Sequence, residues 1–165
     1  MSKTSTKKFT PEYFRNLVFG AEDSLVSTVG VLFGVASSSS YSQNQILITG
    51  LIVIAVEALS MGAGTFLTET ETDEYEGTRD KKNSHVTSAA IMFTSYIFFG
   101  FLTLLPYLVM PSGQAKYISL TFTLVILFLL GFLPAKNIKS AVRTAVIAGF
   151  AVLIGFVVAR FFKID

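Results

Sequence analysis

The sequence contains no cysteine and no tryptophan, one histidine, four prolines and only 15% charged residues. Without cysteine there is no thiolate zinc site, no iron–sulfur cluster and no disulfide, and the redox compartment stays open. One histidine excludes a polyhistidine site, so a bound metal would have to use carboxylates, thioethers, hydroxyls or backbone carbonyls. A soluble domain carries about a quarter charged residues, and this chain falls well short. The formal net charge of +2 brings no basic stripe, which argues against nucleic acid as a partner. What the chain has instead is apolar surface: 52% of its 165 residues are hydrophobic and its mean hydropathy is +0.61. That composition calls for a lipid bilayer as the solvent.

A spanning helix needs roughly 20 mostly apolar residues. Five stretches qualify: 16–37, 46–68, 86–109, 117–134 and 143–162. Lys3, Lys7 and Lys8 before an apolar run ending in Ala36-Ser37-Ser38 resemble a cleavable leader, but Glu22 and Asp23 interrupt the apolar core such a leader needs. The expected fold is therefore an all-α membrane protein, a single transmembrane domain over residues 1–165. Lys3, Lys7, Lys8, Arg15, Arg79, Lys81, Lys82, Lys136, Lys139 and Arg143 fall on one side of five crossings, against Lys116, Arg160 and Lys163 on the other. By the positive-inside rule the N-terminus is cytoplasmic and the C-terminus outside.

Three acids, Glu22, Asp23 and Glu57, fall inside these spans. An ionised carboxylate near the bilayer centre costs on the order of 3 kcal/mol, so it faces a polar cavity or a partner. No basic residue sits at a similar depth by sequence, because Arg143 and Arg160 mark the ends of the fifth span. A cation is then the natural counter-charge. At 1.5 Å per residue, Asp23 and Met61 each lie roughly 10 Å in from the cytoplasmic face, with Ser27 and Glu57 a layer deeper. Gly20, Asp23, Ser27, Gly30 and Gly34 recur at three- and four-residue steps on the first helix. Gly50, Glu57, Met61, Gly64, Thr68 and Glu71 do so on the second. Small residues let membrane helices approach closely, so the two stripes are expected to face each other or a symmetry mate. A third stripe, Ala141, Ala145, Ala148, Gly155 and Ala159, marks the fifth helix. Glu22 points about 100° away from Asp23 around the helix, given 3.6 residues per turn. Glu69, Glu71, Asp73, Glu74 and Glu76 form an acidic run where the second span ends, either a solvated helix end or a cytoplasmic entrance that concentrates cations. His85 reads as an ordinary residue near a helix start.

The segment FGAEDSLVSTVGVLFGVA resembles the first-helix signature of the vacuolar iron transporter family, G-x-x-D-G-L-V-S followed by spaced glycines. EALSMGAGTFL resembles its second-helix signature, centred on S-M-x-x-G. FLTLLPYLV and KSAVRTAVIAGFAVLIGFVVARF fit the third and fifth helices more loosely. The resemblance implies a five-helix fold, a homodimer with the pore between protomers, and export of Fe²⁺ or Mn²⁺ from the cytoplasm in exchange for protons. It places Asp23 and Met61 in that pore. The sequence departs from the pattern in five ways. Ser24 replaces the glycine after the aspartate, Glu22 replaces an uncharged residue, and Glu57 occupies a position that is small in the family. The second-helix glutamate of plant-type members falls at Val53. The long glutamate-rich cytoplasmic insertion of plant and parasite members is absent.

The expectation is thus a multi-pass protein of a prokaryotic cell membrane or a vacuole-type organelle membrane, with no enzymatic activity and no permanent cofactor. Fe²⁺ or Mn²⁺ is its transported substrate, and protons and the lipid bilayer are its other partners. Asp23, Met61, Glu57 and Glu22 are the candidate metal residues. Ser27, Gly30, Gly34 and Gly64 are assigned to pore lining or packing, and Glu69, Glu71, Asp73 and Glu74 to a possible entrance. A non-transporting membrane module built on small-residue helix faces is the rival reading. It would tolerate loss of the acids.

Overall fold

The computed structural model describes residues 10–77 and 82–161, without side-chain detail at 82, 83 and 133–135. Five helices follow one another: α1 (Pro11–Ala36), α2 (Gln43–Glu76), α3 (Lys82–Val109), α4 (Ser112–Ala135) and α5 (Ile138–Phe161). Each is long and apolar enough to cross a bilayer, and the chain is an integral, multi-pass, all-helical membrane protein. Lys3, Lys7, Lys8, Arg79, Lys81 and Lys163, and the side chain of Lys82, lie outside the described residues.

Local signals set the helix ends. Thr10 caps α1 by accepting from the Tyr13 N–H, with Pro11 in the first turn, where a missing N–H costs nothing. Ser42 and Gln45 form a reciprocal capping box at the start of α2, and Gly77 ends that helix in the left-handed conformation (φ 67°). Gln43 donates to the Tyr107 and Met110 carbonyls and accepts from the Ser112 N–H, so its amide ties the start of α2 to the α3–α4 turn. The helices run longer than the apolar spans alone predict. α2 continues through the acidic run to Glu76 instead of ending at Thr68, because no proline or glycine breaks the helix between Thr68 and Gly77. α5 begins at Ile138, so Arg143 lies inside the helix and not at its end.

α1 is the central helix and packs against all four others, while α2 leans mainly on α3 and α1. Leu25, Val29 and Leu32 of α1 are fully buried, and Leu, Ile, Val and Phe side chains of α2 to α5 face outward toward lipid. Hydroxyl-to-carbonyl bonds clamp α1 to α3. Ser24 donates to the Tyr96 carbonyl (2.6 Å) and Ser95 to the Leu17 carbonyl (2.7 Å). Ser119 ties α4 to the Thr103 carbonyl in the same way.

The three glycines of the first-helix stripe pack on α3 and α5 and not on α2. Gly20 abuts Met92 and Ser95 of α3, whereas Gly30 and Gly34 lie against Ala151 and Gly155 of α5. A Cβ on Gly34 would sit 2.7 Å from the Gly155 carbonyl oxygen, and one on Gly155 would collide with the Gly30 carbonyl. The small-residue stripes of α1 and α5 have found each other inside one protomer. The physical reason is α1's central position: with neighbours all round, its small residues are spent on its closest helix contact.

Candidate metal-transport site

The α1–α2 pair is antiparallel, and two cross-helix contacts fix its register. Asn16 donates to Glu69 Oε1 (3.2 Å), and Leu32 meets Gly50. By those contacts Asp23 lies level with residues 59–62 of α2, and Ser27 with residues 55–58. Met61 and Glu57 fall at those two levels. Asp23 and Glu57 are within electrostatic reach of each other. Both are incompletely buried, Glu57 on the exposed face of α2. Among the described residues no three His, Cys, Asp or Glu side chains gather closely enough to hold a metal ion.

Glu22 takes the other side of α1. With Met61, Gly64, Asn16, Glu69 and Arg143 it lines an open cavity of about 1150 Å³ between the first half of α1, the second half of α2 and the first half of α5, with Met92 of α3 and Leu130 of α4 also on its wall. Asp23 and Glu57 do not line this cavity. Met61 does, so the thioether shares a cavity wall with Glu22 and only a depth with Asp23. The expectation that no basic residue lies at the acids' depth is corrected here. Gly34 on Gly155 and Gly30 on Ala151 set the parallel α1–α5 register so that Arg143 stands level with Glu22, within electrostatic reach. Sequence spacing missed this because it counted Arg143 as a helix end.

That pairing has a testable consequence. Glu22→Gln leaves the Arg143 charge uncompensated on the wall of a space that collects carboxylates. In wet surroundings a unit charge a few ångströms away is worth about 1 kcal/mol, or roughly fivefold in cation occupancy. Initial rates of divalent-metal flux in vesicles should fall by about that factor, and adding Arg143→Gln should restore most of the loss. Equal rates for wild type and Glu22→Gln would show that the pair has no bearing on the ion.

The acidic run divides by helical face. Glu71, Glu74 and Glu76 are exposed, whereas Glu69 and Asp73 turn inward. Glu69 takes the Asn16 hydrogen bond, and Asp73 Oδ2 lies 3.0 Å from His85 Nε2. His85 is 5% exposed, and its Nδ1 lies 3.4 Å from the Thr70 hydroxyl. The histidine therefore joins the extension of α2 to the start of α3, a packing role consistent with its position in sequence. Gly64 meets nothing within 4 Å of where a Cβ would be, and it opens onto the cavity.

Two residues that spacing did not single out help to build the acidic layer. Tyr96 of α3 is fully buried, and its hydroxyl lies 2.6 Å from Ser27 Oγ, within electrostatic reach of Asp23 and Glu57. Gly100 leaves room for the Ser24 hydroxyl, which a Cβ there would meet at 2.9 Å. Ser24, where a glycine was expected, thus anchors α1 to the backbone of Tyr96. Tyr96 carries no signal in sequence beyond being a polar aromatic within an apolar span.

A family model, that of the VIT family, matches the chain in two overlapping stretches, residues 14–87 and 72–160, which between them take in nearly all of the five helices. A search of curated proteins returns no match.

Proposed function

The chain belongs to the VIT family of vacuolar iron transporters, a membrane transporter family, and from that premise we propose that it carries Fe²⁺ and/or Mn²⁺ out of the cytoplasm in exchange for protons. The observation that carries the reading is the Asp23–Glu57 pair. Two carboxylates stand within electrostatic reach inside membrane-crossing helices, and among the described residues neither forms an ion pair. Like charges held together in a membrane are neutralised by protons or by a divalent cation. Swapping one for the other is the exchange that antiport requires.

In this reading the protein works as a homodimer, with the cytoplasm on the side of the acidic α2 extension and the C-terminus outside. One protomer supplies too few ligands to replace an ion's hydration shell. A two-fold axis beside the exposed face of α2 would double Asp23, Glu57 and Met61. Glu69, Glu71, Asp73 and Glu74 would concentrate cations at the entrance, with Glu22 and Arg143 setting the local field. Carboxylates suit Mn²⁺, and the Met61 thioether tilts selectivity toward softer late transition ions and away from Mg²⁺ and Ca²⁺.

The deciding experiment is uptake of Mn²⁺ and Fe²⁺ into proteoliposomes under an imposed pH gradient. Metal movement that collapses with the gradient supports antiport. No flux of either metal under any gradient would favour the structural-module reading. Met61→Leu keeps side-chain volume and removes only the sulfur, so Fe²⁺ uptake is expected to drop more than Mn²⁺ uptake. Equal losses would take the thioether out of the ion path.

A further inference from the structure

Of the five acids in the run at the end of α2, Glu69 alone lines the cavity that Glu22 and Met61 share. Its carboxylate is unevenly satisfied. Oε1 accepts from Asn16 Nδ2 (3.2 Å), and Asn16 is buried. Oε2 is sealed from solvent and has no hydrogen-bond partner among the described residues. The same holds for Ser88 Oγ of α3, a fully buried hydroxyl. Contacts on either side of Ser88 fix where it stands. One turn before it, His85 meets Thr70 and Asp73 of α2. One turn after it, Met92 abuts Gly20 of α1, and Ala89 packs on Gly62 of α2. Ser88 therefore lies in the seam of α1, α2 and α3, beside Glu69. Glu12, one turn before Asn16 on α1, is within electrostatic reach of the same carboxylate. Sealing a polar atom away from water without a partner costs free energy. A cation in the seam would serve both oxygens at once, whereas Glu69 and Glu12 would repel an anion.

We propose that Glu69 Oε2 and Ser88 Oγ are ligands of a cation station in this seam, where the divalent ion binds before it reaches the Asp23–Glu57 pair. Asn16 occupies Oε1 and leaves Oε2 for the ion. The protein ligands are all oxygen, which suits a hard ion such as Mn²⁺, and water supplies the rest of its shell. Few protein ligands hold the ion loosely, so it can be passed on. The other acids of the run are excluded from the station by position. Glu71, Glu74 and Glu76 are exposed, and Asp73 is engaged by His85. The inference rests on the transport reading above and adds to it a second binding place on the ion's route.

The test is Mn²⁺ binding to the purified full-length protein in detergent, read by the electron paramagnetic resonance of free Mn²⁺. Asp23→Asn should lose the deeper site and keep one class of bound Mn²⁺. Glu69→Gln added to it should abolish what remains, and Ser88→Ala added instead should weaken it. Ser88→Ala also carries a readout of opposite sign. It deletes a buried hydroxyl without a partner, so the melting temperature of the metal-free protein should rise, while the further rise produced by Mn²⁺ should shrink. A fall in the metal-free melting temperature would make Ser88 a structural hydrogen-bond donor and overturn the proposal, even if Glu69→Gln fails to fold. Unchanged Mn²⁺ binding on adding Glu69→Gln would overturn it too. If Asp23→Asn by itself removes all Mn²⁺ binding, this inference fails and the transport reading stands. If the wild type binds no Mn²⁺, both fail together.

Discussion

Asp23→Asn is expected to reduce metal flux to the level of empty vesicles while leaving the bundle at least as stable as the wild type. Asp23 shares its field with Glu57 and lies level with Met61, so the variant removes one of the two charges that would hold a cation there. The fold gives the opposite expectation for stability. No ion pair to Asp23 occurs among the described residues, and the clamps on either side of it, Gly20 against α3 and the Ser24–Tyr96 bond, do not involve its carboxylate. Removing a charge without a partner from a membrane interior lowers the desolvation penalty. Flux in proteoliposomes and thermal unfolding in detergent, measured on one preparation, check both halves. A variant that still transports at wild-type rates would move the ion path away from the Asp23–Glu57 pair. A variant that unfolds readily would make Asp23 a structural residue.

The largest stability effect should come from a glycine far from the acids. Gly155→Leu drives a side chain into the Gly30 backbone at the closest approach of α1 and α5. Neither neighbour has a flexible end that can swing aside, since the atoms in the way are backbone. Overpacking of this kind costs about 3 kcal/mol or more. The cost should appear as a large fall in the temperature at which secondary structure is lost. Gly149, on the same helix, has nothing within 4 Å of an added Cβ. Gly149→Ala should therefore be neutral or stabilising, by up to about 1 kcal/mol from helix propensity. Similar behaviour at the two positions would mean that α1 and α5 do not pack glycine to glycine. The same contact argues against cross-linking two protomers through cysteines at Gly30 or Gly34, because both positions are enclosed within one protomer. The exposed face of α2 at Ser60 or Gly64 is the better place to look for a symmetry mate.

Much was legible in the sequence because membranes impose simple rules. Five helices follow from five apolar stretches, since lipid offers no hydrogen bonds and each backbone must satisfy its own. The depth of Asp23 against Met61, and of Ser27 against Glu57, follows from a fixed rise per residue and a short α1–α2 connection. The family was readable for the same reason, its first- and second-helix motifs being nearly contiguous. The helix ends were less legible. Hydropathy marks where lipid ends and not where the helix does, so α2 runs on as a charged helix to Glu76.

Only the tertiary structure decided which faces meet. The 3.6-residue period identifies a small-residue stripe on α1 but not the neighbour it serves. Packing gave Gly20 to α3 and gave Gly30 and Gly34 to α5, because a central helix is surrounded and its closest approach goes wherever a second stripe is in register. Arg143 stands beside Glu22 through that same α1–α5 register. Tyr96 reaches Ser27 from a helix that lies some seventy residues away in sequence. Sequence spacing carries no information about distances between helices. Those are fixed when side chains of different segments fill the same volume, and the partners of Glu22 and Ser27 were settled there.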